Sequence, residues 1–109
     1  MTTEQIRRIV SRLNGPNQLD AFEAAKSVWN DPDTHLERSL IRTLKKGRKL
    51  FNRAAAAFAM QLVTTPKTII ALEQAVKNKS EHPRVRGEAA EALAHSHRKK
   101  SHDVLLAPP

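Results

Sequence analysis

Apolar side chains recur along this chain at intervals of three and four residues, the spacing of one face of an α-helix. The first segment shows this spacing at Ile6, Ile9, Val10 and Leu13. A break at Asn14-Gly15-Pro16 then ends it. Five more segments are separated by similar breaks: about Gln18 to Trp29, Asp33 to Gly47, Lys49 to Val63, Pro66 to Asn78, and Pro83 to near His97. Because alternating β-branched and aromatic residues are few, the pattern predicts an all-α protein.

The six predicted helices group into three antiparallel pairs, because a short motif recurs in the second helix of each pair. Adjacent alanines followed by larger apolar residues occur at Ala24-Ala25, Ala54-Ala55 and Ala89-Ala90, with offsets of 30 and 35 residues. A repeat period of about 20 to 50 residues is typical of solenoids, in which each pair buries its apolar face against its neighbours. We expect one domain, 1–109, with units at about 4–30, 33–64 and 66–98, and a basic and apolar tail, 99–109, that resembles the start of a further repeat.

The alanine pairs predict close approach between neighbouring helices. Larger apolar residues then fill the space beyond them: Val28, Phe58 and Leu93. The fourth helix carries only Arg53 as a charge between Asn52 and Val63. A helix that is apolar nearly all round is a buried helix, so we expect the fourth to be the most buried, with a pair on each side. We also assign Trp29, at the end of the second helix, to the core.

One segment resembles a known repeat family. Arg84–Ala94, which reads RVRGEAAEALA, resembles the second helix of a HEAT-like repeat of the short bacterial type, as in phycobilisome lyase subunits, with a V-R-x-x-A-A-x-A-L core. The other two units match only in the alanine pair and the large apolar residue after it. The resemblance implies an α-solenoid that serves as a protein-interaction scaffold, since most HEAT-like proteins are not enzymes.

No residue pattern predicts catalysis or metal binding. Deoxyhypusine hydroxylases, which are HEAT-like enzymes, hold a di-iron centre through His-Glu pairs, where this chain has Gly87-Glu88, Asn52-Arg53 and Phe22-Glu23. Such a centre needs imidazole as well as carboxylate ligands. His95 and His97 lie about 200° apart around a helix, so they do not chelate one ion. We expect no enzyme activity, no metal site and no cofactor.

Composition narrows the class of protein further. The chain has 109 residues, 39% of them hydrophobic, and no cysteine. This length suits a single domain, and the lack of cysteine excludes a disulfide framework and thiolate catalysis. The N-terminal sequence lacks the apolar core of a signal peptide, and no apolar run approaches the roughly 18 residues of a membrane span. These features predict a soluble, cytoplasmic protein and leave its oligomeric state open.

The net charge of +8 comes from one segment of the chain. No acidic residue lies between Glu37 and Glu73, and this window holds eight of the 19 Lys and Arg residues, while the remaining 11 are balanced by the 11 acidic residues. The chain is therefore a neutral protein with one basic segment. Six of these cations lie on the third predicted helix and the turn after it, and we call them the basic patch: Arg38, Arg42, Lys45, Lys46, Arg48 and Lys49.

The geometry of the basic patch suggests two functions, which are docking of an acidic protein and binding of nucleic acid. At about 100° per residue, Arg38, Arg42 and Lys45 fall within about 60° of one another, opposite the apolar face of their helix. Gly47 follows them, and we expect its flexibility to let the backbone follow an anion such as phosphate. A solvated face or contact with a membrane surface is an alternative use of such charge.

Of the two functions, we place docking of another protein with an acidic surface first and sequence-independent binding of nucleic acid second. The patch has no interleaved aromatic or amide side chain that could read or stack on bases. It also lies on the first helix of its pair, which faces outward in solenoids of this kind.

Overall fold

The computed structural model describes the backbone of residues 1–106 and the side chains of residues 1–97. In this part of the chain there are no strands, which confirms the prediction of an all-α protein. The elements are α1 (Thr3–Leu13), α2 (Gln18–Asn30), a 3-10 turn (Thr34–Leu36), α3 (Glu37–Lys46), α4 (Leu50–Ala59), α5 (Pro66–Lys77) and α6 (Pro83–Leu106).

Polar side chains cap the beginnings of several helices. Thr2 Oγ1 accepts a hydrogen bond from the Gln5 N–H at 3.1 Å, and Gln5 Oε1 accepts from the Thr2 N–H at 2.7 Å. Asn17 caps α2, and Thr65 caps α5 with Pro66 at the first helical position. These side chains satisfy N–H groups that the first turn of a helix leaves unpaired, so the local sequence decides where each helix starts.

The helices contact one another as three consecutive pairs. α1 packs on α2, α3 on α4, and α5 on α6. Further contacts join α1 to α3 and α3 to α5, and likewise α2 to α4 and α4 to α6. The first helices of the pairs therefore form one row and the second helices another. α4 lies at the centre, and its buried alanines, Ala54–Ala57 and Ala59, confirm that it is the helix with the most enclosed position.

The three alanine pairs differ in burial. Both alanines are fully buried at Ala24-Ala25 and at Ala54-Ala55, whereas in the third pair Ala89 is buried and Ala90 is exposed. α6 is the last helix of its row and packs on α4 and α5. The expectation of close packing on both alanines is therefore wrong for Ala90, because no further helix pair of the described chain lies beyond α6.

The sequence predicts that α4 ends near Val63, but in the structure it ends at Ala59. The last turn tightens, because the Gln61 N–H donates to the Phe58 carbonyl and the next N–H donates to the Ala59 carbonyl. Met60 and Val63 nevertheless remain buried. Apolar periodicity thus continues past the end of the helix, since these side chains still pack on the core from the turn.

α6 continues to Leu106, well past the end expected near His97. The sequence between His97 and Leu106 contains neither glycine nor proline, so nothing in it ends a helix. We also expect the tail, 99–109, to begin a new repeat. That expectation depends on the side chains of residues 98–106 and on residues 107–109, which lie outside the described part of the structure. Among the described residues no helix, α6 included, is both long and apolar enough to cross a bilayer.

Candidate functional site

The amphipathic character of α3 decides where the basic patch lies. Leu40 and Leu44 of α3 are buried in the core, as is Leu36 in the 3-10 turn before it. All six residues of the basic patch are exposed: Arg38, Arg42, Lys45, Lys46, Arg48 and Lys49. Within the part of the chain that the structure describes, none of the six side chains forms an ion pair or a hydrogen bond. Their charge is therefore available to a partner.

Arg53 belongs to the same acid-free window, but its charge is neutralised inside the fold. Its Nε donates to Glu81 Oε2 at 2.9 Å and its Nη2 donates to Glu81 Oε1 at 3.0 Å. Its Nη1 donates to the Gly47 carbonyl at 2.9 Å. The side chains of Arg53 and Glu81 are only 22% and 11% exposed. Counting charges along the sequence therefore overstates the charge that this window offers to a partner.

α3 separates two grooves, which four of the six patch residues line between them. The groove on the side of α1, which we call the α1–α3 groove, has a volume of about 440 Å³, and three patch residues line it: Arg42, Lys46 and Arg48. The groove on the side of α5, which we call the α3–α5 groove, has a volume of about 280 Å³ and is lined by Lys45 and Glu81 among others. Half of the basic patch thus converges on one groove, although the sequence suggests one continuous stripe.

Polar groups from two helices complete the α1–α3 groove. Its lining includes Asn14 beyond the end of α1 and Ser39 and Thr43 of α3, and no acidic side chain. Thr43 Oγ1 donates to Asn14 Oδ1 at 3.2 Å, and Asn14 Nδ2 donates to the Val10 carbonyl at 2.8 Å. These bonds join the two walls of the groove. Three cations in a groove without a carboxylate make an environment that suits an anion.

Asn52 fixes the end of α1 that forms one wall of this groove. It is only 1% exposed. Its Nδ2 donates to the Leu13 carbonyl at 2.6 Å and to the Gly15 carbonyl at 3.0 Å, and its Oδ1 accepts from the Lys49 N–H at 3.2 Å. The sequence interpretation considers Asn52 only as a replacement for a metal-binding histidine. Its single signal in the sequence is that it is polar at the start of an otherwise apolar helix.

The sequence analysis predicts that Gly47 makes the backbone flexible, but in the structure Gly47 is needed for close packing. Its φ of −52° and ψ of 133° are open to any residue, so the backbone does not require glycine. A Cβ at this position would lie 2.6 Å from the Thr43 carbonyl oxygen and 2.9 Å from Arg53 Cγ. Gly47 is buried, and it allows the chain to turn tightly from α3 into α4.

Trp29 has the structural role that its position predicts. Its ring stacks on Phe58 with 4.4 Å between centroids, and Phe22 meets the Phe58 ring edge-on at 5.6 Å. Trp29 Nε1 also donates to the Phe58 carbonyl at 3.0 Å. The aromatic cluster joins α2 to α4, so the indole is used inside the fold.

The described residues hold no group of three or more His, Asp or Glu side chains placed to bind a metal ion. Asn52 and Arg53, which the sequence analysis compares with a His-Glu pair of deoxyhypusine hydroxylases, make the structural bonds given above. They hold the helix ends together, so they are not free for chemistry.

The sequence matches no protein-family model, and no curated protein and no solved structure matches it. The likeness of Arg84–Ala94 to a HEAT-like repeat therefore stays a prediction.

Proposed function

We propose that this protein is a non-catalytic scaffold that binds a partner protein with an acidic surface through its basic patch. The observation that carries the proposal is that all six patch side chains are exposed and make no bond to a described residue. Like charges held close together repel one another and destabilise a compact state. Contact with an acidic partner relieves that repulsion, whereas no contact within the described chain does so.

We further propose that the two rows of helices form an α-solenoid of three HEAT-like pairs. The support is the order of contacts, in which each helix packs on its pair partner and on the corresponding helix of the next pair. In such an arrangement α1, α3 and α5 form one extended face, on the outward side of the solenoid. The basic patch then lies at the middle of that face, where a partner contacts pairs on both sides of α3.

A protein fits this surface better than a nucleic acid does. From Arg38 to Lys46 the patch extends only about 12 Å along the axis of α3. With phosphates about 3.4 Å apart along one strand of a duplex, this length faces only about four phosphate groups. The amide of Asn14, which also lines the α1–α3 groove, already uses one N–H and its oxygen in bonds within the chain.

Fluorescence anisotropy with a labelled poly-glutamate peptide and a labelled DNA duplex tests this proposal. The decisive variant is Arg42→Glu/Lys45→Glu, and its matched control is Lys77→Glu/Lys79→Glu, which changes net charge equally at two exposed lysines outside the patch. We expect the peptide to bind wild type and the control at low salt, and to bind the patch variant at least about tenfold more weakly.

Two results would count against the proposal. Equal weakening in both double variants would show that net charge alone, and not the basic patch, attracts the peptide. Tighter binding of the duplex than of the peptide at equal salt, lost in Arg42→Glu/Lys45→Glu, would assign the patch to nucleic acid.

A further inference from the structure

The α1–α3 groove differs from the rest of the basic patch because three cations converge on it. We propose that this groove binds a phosphate monoester on a phosphorylated segment of the partner protein, held by Arg42, Lys46 and Arg48. This inference rests on the function proposed above and names the central contact of that interface.

The charge in the groove matches a phosphate monoester better than a carboxylate. A carboxylate carries one negative charge, whereas a phosphorylated side chain carries about −1.5 to −2 at neutral pH and three strong acceptor oxygens. Arg42 and Arg48 each offer a planar fork of donors, which binds two phosphate oxygens at once, and Lys46 adds a compact charge. One carboxylate would leave most of these donors without a partner.

The walls of the groove leave the cations free for such a ligand. Asn14 and Thr43 bond to each other, and the lining contains no carboxylate that would compete for the guanidinium groups. The Ser39 hydroxyl also lines the groove and supplies one more donor. A volume of about 440 Å³ lies within the range of roughly 300 to 1,000 Å³ typical of ligand sites, so residues next to the phosphate have room as well.

The helix ends beside the groove are the one feature that opposes an anion. α1 and α3 both end there, and the C-terminal end of a helix carries partial negative charge on its unpaired carbonyl groups. In this fold the Leu13 and Gly15 carbonyls accept from Asn52, and the Gly47 carbonyl accepts from Arg53. These bonds weaken the negative potential at the ends of α1 and α3. The three exposed cations therefore dominate the electrostatic potential in the α1–α3 groove.

Lys45 provides a control on the same helix. It is exposed like Arg42 and lies only three residues away, but it lines the α3–α5 groove and not the α1–α3 groove. A partner attracted by general charge loses about the same affinity when either residue is changed. A partner held in the α1–α3 groove loses much more when Arg42 is changed.

The test uses three labelled peptides of one acidic sequence, with phosphoserine, serine or glutamate at the central position. Anisotropy is measured against the full chain and its Arg42→Ala, Arg48→Ala and Lys45→Ala variants. We expect the phosphoserine peptide to bind wild type about tenfold more tightly than the glutamate peptide. Arg42→Ala and Arg48→Ala should remove this preference, whereas Lys45→Ala should keep it, and inorganic phosphate should compete with the phosphoserine peptide.

Each other outcome overturns a specific part of the reasoning. If the glutamate peptide binds as tightly as the phosphoserine peptide, the groove does not select phosphate, although the proposed scaffold function stands. If Lys45→Ala removes the preference as fully as Arg42→Ala, the preference does not come from the α1–α3 groove. If neither these peptides nor poly-glutamate bind at low salt, the scaffold function itself is wrong, and this inference fails with it.

Discussion

Replacing Asn52 by alanine tests how the fold holds the end of α1 against the start of α4. The change removes three hydrogen bonds, to the Leu13 carbonyl, the Gly15 carbonyl and the Lys49 N–H. Each is worth about 1 kcal/mol net, and a buried carbonyl left without a donor costs about 1 kcal/mol more. Because Leu13 is fully buried, water does not replace the lost donor there. We expect Asn52→Ala to lower the free energy of unfolding by about 3 to 4 kcal/mol.

The nearly isosteric Asn52→Asp variant separates loss of hydrogen bonds from loss of volume. It keeps an acceptor for the Lys49 N–H but turns a carboxylate oxygen toward the Leu13 and Gly15 carbonyls. Burial next to these acceptors raises the pKa of the new carboxyl group in the folded state above its value in the unfolded chain. Relative to wild type, this variant should therefore be most stable below the unfolded-state pKa of the new carboxyl group and should lose stability as pH rises through its folded-state pKa.

Urea unfolding provides the measurement. Far-UV circular dichroism reports the helices, and the fluorescence of Trp29, which is the single tryptophan and stacks on Phe58, reports the packing of α2 on α4. The control is Asn78→Ala, an exposed asparagine whose Oδ1 accepts only the local Ser80 N–H bond at 3.0 Å. The reasoning is refuted if Asn52→Ala and Asn78→Ala lower stability equally, or if Asn52→Asp is as stable near neutral pH as in acid.

Four other variants can be checked by the same unfolding measurements. Gly87→Ala should stabilise by about 0.5 to 1 kcal/mol, because an added Cβ in this exposed helical position meets no atom. Gly47→Ala should destabilise by about 2 kcal/mol, because an added Cβ would lie 2.6 Å from the Thr43 carbonyl oxygen; shifts of the same sign in the two variants would contradict one of these two expectations. Glu81→Gln should cost about 1 to 2 kcal/mol by weakening the half-buried pair with Arg53, and the exposed control Glu73→Gln less than about 0.5 kcal/mol; equal losses would contradict the structural role of the pair. Hydrogen bonds from the His35 N–H, the His35 ring and the Met1 ammonium lower the pKa of Asp33 from 3.8 to about 2. This contribution to stability is complete above the unfolded-state pKa and is lost as pH falls through about 2, so Asp33→Asn should be less stable near neutral pH and lose less on acidification; an equally steep loss would contradict it.

The helices could be predicted from the sequence because the signals that begin and end them are local. Asn14-Gly15-Pro16 ends α1, and Thr65-Pro66 begins α5, as their residue types indicate. The ends of α4 and α6 were predicted less well. The end of α4 was placed too late because Met60 and Val63 reach the core from a turn, and apolar spacing alone does not distinguish a buried turn from a helix. α6 runs on because no breaker stops it.

The candidate site was less accessible to prediction, because its shape depends on contacts between distant residues. Arg53 pairs with Glu81, 28 residues away, and Asn52 bonds to Leu13, 39 residues away. Neither contact leaves a local signal in the sequence. Helical periodicity places the patch residues of α3 on its outer side, but it does not say that four of the six patch residues line two separate grooves, one beside α1 and one beside α5. The use of these residues in binding stays a prediction.

This division makes the field around α3 asymmetric. In the α3–α5 groove Glu81 is already neutralised by Arg53, so Lys45 is the one charge of the lining that is not paired there. In the α1–α3 groove Arg42, Lys46 and Arg48 have no acidic neighbour in the lining. An acidic partner that approaches α3 therefore meets a higher positive potential on the side of α1, and added salt should weaken its contacts there most steeply because more charge is neutralised. If this asymmetry holds, the salt dependence of peptide binding should decrease in Arg42→Ala and change little in Lys45→Ala.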